Sequence, residues 1–141
     1  MKSVVVDANV IVKWIFPERP DEDHQYQAIH LLQAIKNGHI KVYQPPHWMA
    51  EVTSVVVHLN AVIADEAVDL LYALQFPVLD EPEIYHMATK LAERFNHHLF
   101  DTLYHATALY GDYIFVTADD KYYRKAHKTG AILRLKDFYK M

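Results

Sequence analysis

Four carboxylates in this 141-residue chain occupy settings unusual for a surface acid. Asp7 closes the β-branched run Val4-Val5-Val6, and Asp119 falls just past the run Tyr113–Thr117. Glu51 lies among Trp48, Met49, Ala50, Val52, Val55, Val56 and Val57, a stretch with little polar face to spare. Asp101 follows Leu99 and Phe100 and precedes Leu103, Tyr104 and Ala106. No Lys or Arg stands beside Asp7, Glu51 or Asp101 in the sequence. An isolated buried carboxylate is costly unless a cation, a base or a raised pKa accommodates it. Taken singly, each acid has a plainer reading: Asp101 as an acid favoured by a helix N-terminus, Asp119 or Asp120 as a helix cap, Glu51 as the partner of a distant lysine. Brought to one layer of a fold, the four favour a shared explanation, a cluster of mutually repelling carboxylates that holds a hard divalent cation, Mg²⁺ or Mn²⁺. The chain has no Cys, which removes disulfides, zinc fingers, iron–sulfur clusters and thiol nucleophiles. Its ten histidines form neither HExxH nor His-x-His.

The elements that must position these acids follow from the hydrophobic pattern. Val4–Val6 reads as a buried strand, and Asn9–Phe16 as a short helix closed by Pro17. Residues 17–23 form a polar turn. Tyr26, Ile29, Leu32 and Ile35 recur at helical spacing up to Asn37-Gly38, and Ile40–Tyr43 is a second strand. Pro45-Pro46 opens a helix at about residue 46 that is apolar almost all round and therefore mostly buried. A further helix over 64–75 carries Ala67, Leu70, Leu71 and Leu74 inward, and Pro77-Val78-Leu79 is a short strand. Ile84, Met87, Ala88, Leu91 and Phe95 mark another helix, Leu99–Tyr110 the next, ended by Gly111. Tyr113–Thr117 is a strand, 119–128 helical and Ala131–Leu135 a last strand. Alternating strands and helical connections imply a parallel sheet of four to five strands with helices on both faces, an α/β three-layer fold in a single domain over 1–141. Such sheets bind ligands outside the carboxyl ends of their strands, where Asp7 and Asp119 fall.

Composition narrows the partners. With 52% apolar residues the chain buries a real core, and the formal net charge is −4. The charge is uneven: residues 1–85 hold five Lys or Arg against twelve Asp or Glu, whereas residues 121–141 hold seven against Asp137 alone. A mildly acidic protein can therefore present one cationic surface. The opening run MKSVVVDANVIVKW carries an Asp and an Asn inside its apolar stretch, which argues against a signal peptide or membrane span and for a soluble cytoplasmic protein.

The layout VVVDANVIVKW, then AEVTSVV, then FDTLYHATAL, then FVTADDKYYRKA resembles that of PIN-domain nucleases, and among them the VapC-type toxins of toxin–antitoxin pairs. The resemblance covers nearly the whole chain in order. It implies a metal-dependent endoribonuclease that uses Mg²⁺ or Mn²⁺ held by Asp7, Glu51, Asp101 and Asp119, with motif register selecting Asp119 over Asp120. It further implies that Asn9 orients the first acid and that Thr117 hydrogen-bonds a carboxylate. Lys13 is a candidate for a phosphate contact or for helix packing, and Lys121, Arg124, Lys125 and Lys128 would contact the RNA backbone. The implied partners are RNA, a small antitoxin lying over the acidic site, and a second copy of the chain; the apolar helices near 46–60 and 64–76 could serve either of the last two or belong to the core alone. His97 and His98 precede Asp101 with no counterpart in that pattern. His105, at i, i+4 from Asp101, could reach the site or be an internally satisfied histidine. Trp14 and Trp48 could stack bases, although helical spacing favours the core. Two other readings stay open. One is a catalytically weak PIN-like module that only binds RNA or protein. The other is a HAD-like phosphatase with Asp7 as nucleophile, which needs an acid where Asn9 stands and leaves Glu51 and Asp101 unemployed.

Overall fold

The computed structural model describes residues 2–17 and 23–140; the expected turn over 17–23 falls largely outside them. The strands are β1 (Lys2–Val6), β2 (Ile40–Val42), β3 (Ile114–Thr117) and β4 (Ile132–Arg134). They form one parallel sheet in the order β2-β1-β3-β4, with Val4 opposite Val42 on one side and Ile114 on the other. Among the described residues the α-helices are α1 (Ala8–Ile15), α2 (Gln25–Lys36), α3 (Trp48–Leu59), α4 (Ala64–Ala73), α5 (Pro82–Phe95), α6 (Leu99–Gly111) and α7 (Asp120–Ala126). Chain order carries β1 to β2 on one side and then to β3 on the other. The sheet therefore reverses its winding between β1 and β3, the place where α/β sheets open a crevice for ligands.

Burial explains the central strand. Val4, Val5 and Val6 are wholly buried, as the absence of alternation in this β-branched run requires. Most of the core, including Ile11, Leu31, Val52, Val56, Tyr104 and Phe115, is continuous with them. A smaller cluster of Ile84, Ala88, Leu91, Leu103 and Ala106 joins α5 to α6.

One buried residue that the hydrophobic pattern does not single out completes the sheet edge. After Tyr43 donates its N–H to the Val4 carbonyl (2.9 Å), β2 turns away from β1. The Gln44 side chain takes over: its Oε1 accepts from the Val6 N–H and its Nε2 donates to the Val6 carbonyl, both at 2.9 Å. The Gln44 main chain meanwhile bonds Pro77 and Leu79, so the strand expected at Pro77–Leu79 is a single parallel bridge at Val78. An edge segment led by proline lacks the donors for a longer ladder.

Other boundaries also shift. The helix expected from residue 46 begins at Trp48, because Pro45 and Pro46 belong to the preceding turn. That helix is not mostly buried: Trp48, Val52 and Val56 face the core, while Val55, Val57 and Leu59 are exposed. Tyr26 and Leu70, assigned to inner stripes, are exposed as well, and Ala28 and Leu31 carry the inner face of α2. The helix expected over 119–128 is α7 followed by a 3₁₀ turn at His127–Thr129. Among the described residues no helix is long and apolar enough to cross a membrane.

Candidate active site

Each of the four acids sits at the N-terminal end of a different helix. Asp7 is the residue before α1 and Asp119 the residue before α7. Glu51 and Asp101 lie in the first turns of α3 and α6. Parallel strands deliver the chain to the carboxyl edge, where helices begin, and the positive ends of helix dipoles offset part of the cost of gathering like charges. Asp7, Glu51 and Asp101 line one cleft of about 450 Å³, together with Asn9 and Lys13 of α1 and Val55 of α3. Asp119 stands at its side, near enough to Asp101 for its charge to raise that group's pKa.

Hydrogen bonds fix Asp7, Asp119 and Glu51. The Thr117 hydroxyl donates to Asp7 Oδ2 (2.8 Å) and accepts the Asp119 N–H (3.0 Å). Asp119 caps α7 through Oδ1, which accepts the Tyr122 N–H at 3.0 Å, leaving Oδ2 to face the site. Asn9 Oδ1 accepts the Ala118 N–H (3.1 Å) and so ties α1 to the loop carrying Asp119, while the Asn9 main-chain N–H bonds the Asp7 carboxyl directly and favours its charged form. The hydroxyl of Tyr104, wholly buried on α6, donates to Glu51 Oε1 at 2.9 Å.

Two histidines stand against the acids. His47 Nε2 lies 2.7 Å from the Phe100 carbonyl, which can only accept, so Nε2 carries the proton. The same nitrogen is 3.8 Å from Glu51 Oε2, and the buried Nδ1 has no partner. His97 Nε2 lies 3.2 Å from Asp101 Oδ2 and 3.8 Å from Asp119 Oδ2, with its ring 4.7 Å from that of Tyr122.

Burial and mutual repulsion govern the electrostatics of the acids. Burial pushes Asp7 up to about 8, the charges of Asp101 and Glu51 push the same way, and the Thr117 bond opposes them. Burial likewise raises Glu51 and Asp101, helped by neighbouring carboxylates and opposed by Tyr104 in one case and His97 in the other. Burial lowers His47, keeping it neutral near pH 7. Among the described residues no three His, Asp or Glu side chains already stand in a coordinating arrangement. The acidic groups along the cleft nonetheless offer the oxygen donors of a hard cation, each disfavoured as an anion by burial and by a neighbouring carboxylate, a cost that a divalent ion at the cleft would relieve.

The basic residues divide. Lys121 and Lys125 line a small pocket with Asn96, His97 and His98, whereas Arg124 and Lys128 are exposed elsewhere on the α7 segment. Lys13 is buried, with its side chain at the acid cleft. Asp120 is exposed at the start of α7. His105 is an internally satisfied histidine, placed between the Tyr122 hydroxyl (2.7 Å) and the Gly130 carbonyl (2.8 Å). Trp14 and Trp48 both pack on Phe76, and Trp14 donates to the Ala28 carbonyl, so they serve the core. Sequence alone assigns no role to Tyr104 or His47, yet their spacings carry a signal: Tyr104 is three residues from Asp101 and His47 four from Glu51, each on the same helix face.

Comparisons with known proteins identify a family and similar folds. Residues 4–128 match the PIN domain family. No curated protein is matched. Among solved structures, a toxin–antitoxin complex from Klebsiella pneumoniae is similar with TM-score 0.65 at 13% identity, covering 94% of this chain and 97% of that one. VapBC2 from Rickettsia felis, bound to a DNA fragment from its promoter, is similar with TM-score 0.64 at 14% identity over 94% and 98% of the two chains. FitAcB from Neisseria gonorrhoeae gives TM-score 0.62 at 19% identity over 94% and 98%.

Proposed function

The chain belongs to the PIN domain family, whose members are generally nucleases, and from that premise we propose that it is a divalent-cation-dependent endoribonuclease and the toxin of a toxin–antitoxin pair. The observation that carries this reading is the convergence of Asp7, Glu51, Asp101 and Asp119, from four separate stretches of chain, at the point where the sheet reverses between β1 and β3. Asp7, Glu51 and Asp101 would hold Mg²⁺ or Mn²⁺, with Asp119 completing or sharing the site. When bound, such a cation lowers the pKa of a water molecule and offsets charge on the scissile phosphate.

The protein's own part is orientation and charge. Thr117 fixes the Asp7 oxygen that it touches, and Tyr104 fixes one oxygen of Glu51 while leaving the other toward the cleft. His47, neutral and committed to the Phe100 carbonyl, braces the first turn of α3 against that of α6. Lys13, at the cleft, would meet a phosphate oxygen, and Lys121, Arg124, Lys125 and Lys128 would add a sequence-blind attraction for the strand. The products would carry 5′-phosphate and 3′-hydroxyl ends.

The exposed apolar residues of α3 and α4, Val55, Val57, Leu59, Leu70 and Tyr72, support docking of an antitoxin or a second copy of the chain. The names of the similar structures, which include toxin–antitoxin complexes, point the same way. A module that binds RNA or protein without cutting is the second reading, favoured by the lack of a ready-made coordination arrangement among the described residues. Purified protein incubated with end-labelled RNA, with and without EDTA, separates the two. Cleavage that needs Mg²⁺ or Mn²⁺ and disappears in Asp7→Asn supports the nuclease; cleavage that persists in EDTA, or no cleavage under any cation, defeats it.

A further inference from the structure

On the far side of His97 from the acid cleft lies a second, smaller recess of about 250 Å³, lined by Asn96, His97, His98, Lys121 and Lys125. Lys121 and Lys125 are one turn apart on α7 and so present their ammonium groups on one face. Among the described residues neither makes an ion pair, although Asp119 and Asp120 lie close in sequence. His97 is the partition: its Nε2 faces Asp101 and Asp119, while the rest of the side chain forms a wall of the recess. His98 and the carboxamide of Asn96, whose backbone is left-handed at φ 49°, supply further polar groups to the same hollow.

Two uncompensated cations in a polar recess suit an anion, and the neighbouring site is one where a nucleic-acid strand would be cut. We propose that this recess is a phosphate subsite that binds the strand phosphate next to the scissile one, on the α7 side, with Lys121 and Lys125 as its charge and Asn96 and His98 as its polar wall. The assignment rests on the nuclease reading above and adds a division that reading lacks. Arg124 and Lys128, although cationic and in the same segment, lie outside the recess and contribute only to the general field. Because the cleft itself is acidic, a phosphate bound beside it gives the strand a fixed seat that the carboxylates alone would repel.

The test measures binding of a fluorescein-labelled single-stranded RNA by anisotropy, in EDTA so that nothing is cut, over a range of salt concentrations. Wild type is compared with Lys121→Ala/Lys125→Ala, with Lys121→Arg/Lys125→Arg and with Arg124→Ala/Lys128→Ala. All four side chains are exposed, and thermal melting checks that each variant folds. The subsite predicts that the first pair flattens the plot of log K against log salt by about 0.7 for each phosphate no longer neutralised. The Arg pair should retain the slope, and the Arg124/Lys128 pair should change it by less than half as much. Equal losses from the two alanine pairs would show a diffuse field and overturn the subsite, as would a wild-type slope in Lys121→Ala/Lys125→Ala. If wild type cuts RNA in Mn²⁺ while the slope is unmoved, the subsite alone fails; if wild type neither binds nor cuts RNA, the nuclease reading fails with it.

Discussion

The Thr117 hydroxyl and the Asp7 carboxylate meet at 2.8 Å across 110 residues of sequence, from the ends of two neighbouring parallel strands. Thr117 is wholly buried and also accepts the Asp119 N–H, so one hydroxyl sets the position of two acids. Thr117→Val keeps the shape and removes both bonds. It should destabilise the fold by about 1–3 kcal/mol, the cost of leaving buried polar groups unsatisfied. Thr117→Ser should recover most of that loss in urea denaturation. A valine variant as stable as wild type would mean that the bond positions nothing.

Asp7 makes stability depend on pH in an unusual direction. Its carboxyl is raised to about 8 in the folded protein from an ordinary value of 3.8. Between these values the folded state holds a proton that the unfolded chain has released, so stability without metal falls as pH rises from about 4 to about 8 and is level above. Asp7→Asn does not carry that cost. In EDTA the variant should be more stable than wild type at pH 8.5, by on the order of a few kcal/mol, and nearly equal to it at pH 4. Urea melts at the two pH values check this, and a difference that does not change with pH would contradict it.

Gln44 offers a prediction away from the chemistry. Its side chain bonds both the N–H and the carbonyl of Val6, directly before Asp7. Gln44→Ala strands two buried main-chain groups and should lower stability by roughly 2–5 kcal/mol, whereas Gln44→Glu can satisfy only one of them. Hydrogen exchange should show the Val6 amide keeping its protection in Gln44→Glu, whose carboxylate still accepts that N–H, and losing it in Gln44→Ala. Retained protection in Gln44→Ala would mean that another group pairs with the strand.

The parts of this molecule legible in its sequence are those governed by local pattern. The run Val4–Val6 reads as a buried strand because it lacks alternation, and Asp7 and Asp119 fall at strand ends by position alone. The apolar surroundings of Glu51 and Asp101 flag them without knowledge of their neighbours. What stays hidden depends on contacts between distant segments. Gln44 looks like a loop residue until β2 turns from β1 and leaves Val6 open to it. Helical spacing gives Tyr26 and Leu70 inner positions, yet which face turns inward is set by neighbouring helices, and both are exposed. The valine-rich helix α3 reads as buried because composition records how apolar a surface is and not what covers it. His97 is the sharpest case: close to Asp101 in sequence, it gains meaning only when α7 brings Asp119 and Lys121 to its two sides.

The whole functional reading rests on the proposal that acids from separate helices act as one cation-binding unit. Isothermal titration with Mn²⁺ at pH 8.5, where Asp7 is ionised, tests it without RNA. Wild type should bind Mn²⁺, and Asp7→Asn, Glu51→Gln and Asp101→Asn should each weaken binding at least tenfold, about 1.4 kcal/mol. A Glu51→Gln protein that binds Mn²⁺ as tightly as wild type would refute the shared site.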